Sequence, residues 1–216
     1  MTRSKETHYT KYLTREEFRL LLREVKKRNS KPFEMCFKFM TYLALRISDA
    51  VSLKVENLDK NCSELNYTEQ KTKKHRSVKI PFFFQKEIKE YVKEYKHLFI
   101  DNYLFPALYN TPKRDKVRNE HLSPATFRHF FKDFRRKYGF DKPYYKRKDG
   151  RPLYRISPHT LKHFSIYCFW EASNHDLGCT QQFSNHTETK HVIRYLMSLE
   201  NINKQAKIIQ KAFAEI

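Results

Sequence analysis

Glycine is almost absent from this chain of 216 residues, in which it occurs only at positions 139, 150 and 178. Loops that hold phosphate groups with backbone amides need closely spaced glycines, so the sequence argues against a P-loop or a dinucleotide-binding fold. The four cysteines form no Cys-x-x-Cys motif, and the sequence has neither a signal peptide nor an apolar run long enough to cross a membrane. These absences predict a reduced, cytoplasmic protein that makes no membrane contact.

Positive charge is what the chain has in excess. It contains 44 Lys and Arg residues against 24 Asp and Glu residues, which gives a net charge of +20 at pH 7. The basic residues are spread along the whole chain, a distribution that indicates a globular body with a basic surface. A nucleic-acid backbone is the commonest partner of such a surface, and a merely soluble, lysine-rich surface is the alternative. With 39% hydrophobic residues, the chain can bury a core without disulfides.

Hydrophobic periodicity predicts an α+β domain that is mainly α-helical and carries a small antiparallel sheet on one side. Thr14 and Glu17 have the spacing of a capping box at the start of the first helix, and Pro32 opens the second. A short third helix is predicted near 47–53. Further helices are predicted at 82–97, 123–138, 158–173, 176–184, 187–198 and 201–214.

Two segments with alternating apolar residues, 64–68 and 77–81, predict an antiparallel hairpin or a three-stranded sheet. The connection between them is very basic. Lys71 in this turn is a candidate general acid, since a charged lysine close to a nucleic-acid backbone can protonate a leaving oxygen. Lys73 and Lys74 compete for that role, and a solvated turn without a role is the alternative.

Arg46 follows an apolar run, and Asp49 lies three residues further on, where its carboxylate can orient the guanidinium. An arginine held in this way suits phosphoryl transfer, because its planar fork binds two phosphate oxygens at once. The alternative is an ordinary surface ion pair.

His159, Lys162 and His163 share a predicted helix that begins at Pro158. An imidazole can transfer a proton near neutral pH, and a lysine can contact a phosphate oxygen as a point charge. Histidines with purely structural hydrogen bonds are the alternative. The histidine spacing also occurs in zinc-binding helices, but Thr160 stands where a metalloprotease needs glutamate, so we expect no metal.

Tyr195 lies nine residues after His186 and is the candidate nucleophile. A phenol reacts weakly unless a base or cations assist it, and Tyr195 follows all the cationic and imidazole groups described above. Cations, imidazoles and a phenol are what a metal-free enzyme needs to break and rejoin a phosphodiester.

Four segments, taken in this order, resemble the catalytic domain of the tyrosine recombinase (phage integrase) family. The first arginine motif of that family is similar to YLALRISDAVSL at 42–53, and its β-hairpin lysine segment to QKT at 70–72 followed by VKIP at 78–81. Its His-x-x-Arg box resembles SPHTLKH at 157–163, and its Gly-His and nucleophile segment resembles NH at 185–186 followed by Tyr195. The resemblance covers about residues 14–198.

The resemblance implies a site-specific recombinase or integrase that cleaves and rejoins double-stranded DNA through a 3′-phosphotyrosyl intermediate on Tyr195. It implies neither a cofactor nor a metal, and it implies self-association as a tetramer on DNA. The residues implied in catalysis besides Tyr195 are Arg46, Lys162 and His186 for phosphate binding, His159 for proton transfer and Lys71 for the leaving oxygen. Those expected to support them are Asp49 and His163. Those expected to contact the DNA backbone are Lys73, Lys74, Arg76, Lys146, Arg147, Lys148, Arg151 and Arg155.

Three positions depart from the family pattern. Lys162 stands where the family usually has a second arginine, and it keeps the charge but loses the bidentate geometry. Ala44 and Asn185 stand where glycine is common. We interpret these departures as those of a divergent member of archaeal or viral origin, acting at the nucleoid or in a host cytoplasm.

We expect a single catalytic domain over 1–216, with its core at about 14–198 and a C-terminal helix in 199–216. We expect no counterpart of the family's N-terminal core-binding domain before it. The chain is therefore expected to be either a natural minimal recombinase or one piece of a split or truncated integrase. The alternative functions are a non-catalytic DNA-binding regulator that kept the fold and a type IB topoisomerase-like DNA relaxer.

Overall fold

The computed structural model describes residues 13–109, 116–143, 145–146, 149–184 and 192–193. This part of the chain is mainly helical and carries small antiparallel sheets, which confirms the predicted class. The predicted helix at 201–214 lies outside the described residues, as does that at 187–198 apart from the helical pair 192–193. Among the helices described, none has the length and apolar character to cross a bilayer. All four cysteines are free thiols.

The α-helices of the described part follow the predicted segments closely. They are α1 (Arg15–Lys27), α2 (Lys31–Tyr42), α3 (Ile47–Val51), α4 (Phe82–Tyr95), α5 (Pro124–Lys137), α6 (Pro158–Ala172) and α7 (Leu177–Ser184). Short 3-10 turns occur at Val55–Asn57, Lys96–Leu98 and Ile100–Asn102. The capping box predicted for α1 is confirmed: the Glu17 N–H donates to the Thr14 hydroxyl at 3.1 Å, and the Thr14 N–H donates to the Glu17 carboxylate at 2.9 Å.

The described strands form three separate two-stranded antiparallel sheets, not one three-stranded sheet. The predicted hairpin is β1 (Glu64–Thr68) with β2 (His75–Lys79), paired from Glu64 opposite Lys79 to Thr68 opposite His75. The third strand expected beside them is reduced to a single antiparallel bridge between Leu58 and Leu65. The other pairs are β3 (Ala107–Tyr109) with β4 (Lys116–Asn119) and β5 (Tyr145–Lys146) with β6 (Pro152–Leu153).

Helix α2 lies at the centre of the hydrophobic core. Its Phe33 ring stacks on Phe127 of α5 with the centroids 4.4 Å apart, while Phe39 meets Phe84 of α4 edge-on at 5.2 Å. The Phe33 and Phe39 rings are fully buried. Burying aromatic rings on several sides stabilises α2 strongly, and this fixes the segment that leads directly into α3.

Helix α6 is buried along its first half, from Thr160 to Ile166. The Ser165 hydroxyl donates to the Thr41 carbonyl of α2, which joins the two helices through a buried hydrogen bond. Since α2 also leads into α3, the fold brings the first turns of α3 and α6 to the same side of the core.

Candidate active site

Arg46 is the N-cap residue of α3. Its carbonyl accepts hydrogen bonds from the N–H groups of Asp49 at 3.0 Å and Ala50 at 2.9 Å, so the helix start fixes its backbone. Its side chain is about one quarter exposed. The guanidinium is therefore held by the fold while one side of it stays open to solvent.

Ala44 has a positive φ of 49° two residues before Arg46. This left-handed conformation is easy for glycine and strained for any other residue, which explains why a glycine suits this position. Ala44 is buried in one hydrophobic cluster with Ile166 of α6 and with Val192, which is fully buried. Val192 lies three residues before Tyr195 in the chain.

Asp49 is buried and ties α3 to the basic turn between β1 and β2. Its carboxylate accepts a hydrogen bond from the Gln70 N–H at 2.9 Å, and it lies 3.9 Å from the nearest Arg46 nitrogen. Burial raises the pKa of Asp49, although the Gln70 N–H and Arg46 oppose this. The ion pair that the sequence predicted between Arg46 and Asp49 is present, but at 3.9 Å it is not a hydrogen bond.

Glu69 is the carboxylate in closest contact with Arg46, and the sequence interpretation did not identify it. Its side chain is only 1% exposed, and its Oε1 accepts a hydrogen bond from Arg46 Nη1 at 2.8 Å. The same oxygen lies 3.5 Å from Arg76 Nε, and Oε2 accepts a hydrogen bond from the Thr72 hydroxyl. Burial raises the pKa of Glu69, but Thr72 and Arg46 outweigh it and hold the pKa below its usual range. A single acidic residue next to Gln70-Lys71-Thr72 was the only sequence signal for it.

Lys162 lies in the buried first half of α6 and is only 5% exposed. Burial, together with the positive charge of Arg46, lowers its pKa from the usual 10.5 to about 8, while Glu69 and Asp49 act in the opposite direction. These side chains form one group of interacting charges, which we call the charge cluster. Its members are Arg46, Asp49, Glu69, Arg76 and Lys162. Arg76 is partly buried in this cluster, and its expected contact with the DNA backbone stays a prediction.

His159 and His163 occupy one face of α6, with ring centroids 4.4 Å apart. His159 is exposed in the first turn, while His163 is buried one turn further on. The predicted pairing of an accessible imidazole with a supporting one is compatible with this arrangement.

The three candidate lysines of the turn, Lys71, Lys73 and Lys74, are all exposed. The turn is closed at its base by Glu69, whose N–H donates to the Lys74 carbonyl and whose carbonyl accepts from the Lys73 N–H, each at 2.9 Å. The choice of Lys71 over its neighbours stays a prediction.

The loop cations expected to contact DNA have different surroundings. Arg155 binds the Glu17 carboxylate with both arms of its guanidinium, and Arg151 pairs with Asp149 at 3.1 Å on the surface. Lys146 lies in β5 and is exposed. Four of the expected site residues lie outside the described part of the chain, and their roles stay predictions: Arg147, Lys148, His186 and Tyr195. The described part contains no group of three or more metal-ligating side chains close enough to hold an ion.

Comparison with known proteins identifies the family. The model of the phage integrase family matches residues 11–201, so the chain belongs to this family. No match was found among curated proteins.

Solved structures show the same fold at low sequence identity. The XerA recombinase matches with a TM-score of 0.67 at 18% identity over 94% of this chain and 66% of that one. The catalytic domain of bacteriophage HP1 integrase matches with a TM-score of 0.55 at 14% identity over 95% and 98%. A lambda integrase dimer bound to a core site matches with a TM-score of 0.64 at 12% identity over 91% and 62%. The chain thus has the fold of a tyrosine recombinase catalytic domain, and it spans 66% or less of the XerA and XerH structures that it matches.

Proposed function

We propose that this protein is a site-specific DNA recombinase that cleaves and rejoins DNA through a 3′-phosphotyrosyl intermediate. The observation that carries the proposal is the charge cluster: Arg46 and Lys162 come from distant parts of the chain, and the core brings them together. Membership of the phage integrase family supports it, as do the DNA-bound structures among those that share the fold.

In the proposed reaction, Arg46 and Lys162 bind the nonbridging oxygens of the scissile phosphate, with His186 as a third donor. Hydrogen bonds and positive charges at these oxygens stabilise the additional negative charge of the transition state. Arg46 offers its solvent-facing side for this contact, while Asp49 and Glu69 hold it from the protein side.

The Tyr195 oxygen then attacks phosphorus and the bond to the 5′-oxygen breaks. The phenolic proton leaves with help from His159, and Lys71 protonates the departing 5′-oxygen. The reverse attack by a 5′-hydroxyl on the phosphotyrosyl link rejoins the strand. Support for Tyr195 as the nucleophile comes from Val192, three residues earlier in the chain, which is buried in one cluster with Ala44. Self-association into a tetramer on two duplexes is part of the same proposal.

Trapping the covalent intermediate tests the proposal. DNA duplexes that the protein binds are first selected from a pool of random sequences. A nick is then placed beside each scissile position, so that cleavage releases a short fragment that diffuses away. We expect the native chain and Tyr145→Phe, a control at an exposed tyrosine, to form a covalent protein–DNA adduct, and Tyr195→Phe to form none.

Other outcomes identify the alternatives. Binding without any adduct would indicate a DNA-binding regulator that kept the fold. Relaxation of supercoiled plasmid without joining of different duplexes would indicate a relaxing enzyme that shares the chemistry.

A further inference from the structure

Glu69 closes the turn that contains Lys71 through its backbone. Both backbone hydrogen bonds that close the turn, to the Lys74 carbonyl and from the Lys73 N–H, involve Glu69. Any displacement of Glu69 therefore moves both ends of this turn.

The Glu69 carboxylate contacts both its own turn and the arginines of the charge cluster. It accepts the 2.8 Å hydrogen bond from Arg46, lies 3.5 Å from Arg76, and accepts from Thr72 within the same turn. A carboxylate that is 1% exposed cannot exchange these partners for water without a large cost, so its contacts with Arg46 and Thr72 hold both elements at a fixed separation.

Asp49 makes a second connection between the same two elements. It accepts the Gln70 N–H at 2.9 Å, while the Gln70 side chain donates to the Ser52 hydroxyl at 3.2 Å. The turn that contains Lys71 is thus linked to α3 twice, through Glu69 of the turn and through Asp49 of α3.

We propose that Glu69 is a positioning residue that couples Arg46 to the turn containing Lys71, so that the group that binds the phosphate and the group that protonates the leaving oxygen are held as one unit. This inference rests on the proposed function. It assigns to a buried acid of the hairpin a part in strand cleavage without contact with the DNA.

The coupling has an electrostatic consequence for Lys162. The negative charge of Glu69 raises the pKa of Lys162 against the effect of burial. Loss of that charge lowers the pKa of Lys162 further. The pH above which the cleavage rate falls is therefore lower as well. A residue with a purely structural role would not move this part of the pH profile.

Glu69→Gln tests the coupling because it removes the charge and keeps the shape. Glu64→Gln is the matched control because it changes the net charge equally. Glu64 is the first residue of β1, the strand that ends directly before Glu69, and it contacts Ser77 and Lys79 outside the cluster. Glu69→Asp is a further variant that keeps the charge but shortens the side chain by one methylene. Thermal unfolding first establishes that each variant is folded.

Two measurements are made on all four proteins. The first is the single-turnover rate of adduct formation on the nicked duplex at saturating protein, from pH 6 to pH 9. The second is hydrogen exchange of the amides of residues 70–76 without DNA, corrected for intrinsic rates. We expect Glu69→Gln to slow cleavage by about tenfold or more, because a small misplacement of a catalytic group has effects of this size. We also expect the alkaline fall in its cleavage rate, which we call the alkaline limb, to shift to lower pH. The amides of residues 70–76 should exchange faster than in the native chain.

Glu64→Gln is expected to match the native chain in both measurements, and Glu69→Asp to be slow but to keep the native alkaline limb. Equal exchange of the turn in Glu69→Gln and Glu64→Gln overturns the coupling, whatever the cleavage result. Equal cleavage rates in these two variants also overturn it. If the native chain forms no adduct, the proposed function fails separately, and the exchange comparison alone decides whether Glu69 holds the turn.

Discussion

Lys162 is a buried cation whose charge opposes folding, and its replacement by methionine should stabilise the protein. Its pKa falls from the usual 10.5 to about 8, and burial is the main cause. Each pKa unit corresponds to 1.36 kcal/mol, so the protonated lysine costs the folded state about 3 kcal/mol relative to the unfolded chain. This value already contains the opposing attraction of Glu69 and Asp49.

The direction of the pH effect follows from the lowered pKa. Below pH 8 the lysine is charged in both states, and the folded state bears the whole destabilisation. Between about pH 8 and 10.5 the unfolded chain binds more protons than the folded one, so the contribution of Lys162 to the free energy of unfolding becomes more favourable with increasing pH. Above 10.5 the lysine is neutral in both states and the destabilisation is gone.

Urea unfolding of the native chain and Lys162→Met at pH 7 and at pH 10.5 measures the effect. We expect the variant to be more stable at pH 7 by up to about 3 kcal/mol, and the difference to shrink at pH 10.5. Lys86→Met removes a lysine at an exposed position of α4 and should leave the stability nearly unchanged. A Lys162→Met protein that is less stable than the native chain at pH 7, or a difference that does not vary with pH, would refute the reasoning.

The remaining predictions concern activity and the strained turn. Strand cleavage by the native chain should decline as the pH rises through about 8, because Lys162 loses the charge that binds phosphate. Lys162→Arg should remain active at higher pH, since a guanidinium stays protonated. The rate of adduct formation between pH 6 and 9 measures both effects. Lys73 has a positive φ of 56° in an exposed turn, so Lys73→Gly should be more stable by about 1 kcal/mol than Lys74→Gly, which loses the same charge without relieving a left-handed residue. Urea unfolding of the two glycine variants side by side checks this difference, and equal stability would contradict it.

The sequence predicted the long elements well because their signals are local. The capping residues Thr14 and Glu17 and the apolar spacing of α1 define a helix by themselves, and the alternation in 64–68 defines β1. The β3–β4 pair was not predicted, because segments of three and four residues carry too little alternation to be recognised. The separation of the strands into three sheets depends on tertiary packing that no local pattern encodes.

The sequence pointed to every member of the charge cluster except Glu69. Arg46 and Lys162 were selected for their residue type and order, and the fold places them in one cluster. Glu69 was missed because an acidic residue in a basic, polar turn usually indicates a solvated side chain, whereas here two guanidinium groups surround it in a buried position. Burial of this kind depends on which distant elements meet, and sequence spacing carries no information about that.

Ala44 shows how a departure from the family pattern can be accommodated. A left-handed φ costs an ordinary residue about 1–2 kcal/mol, and the strain lies in the backbone that leads to Arg46. The Ala44 methyl group, however, is buried in the cluster that also contains Ile166 and Val192, and burial of one methyl contributes about 0.8 kcal/mol that glycine would not provide. Glycine also loses more conformational freedom on folding, by roughly 0.5–1 kcal/mol. These contributions nearly balance, so alanine is tolerated at this position, and its methyl group becomes part of the buried cluster that contains Val192.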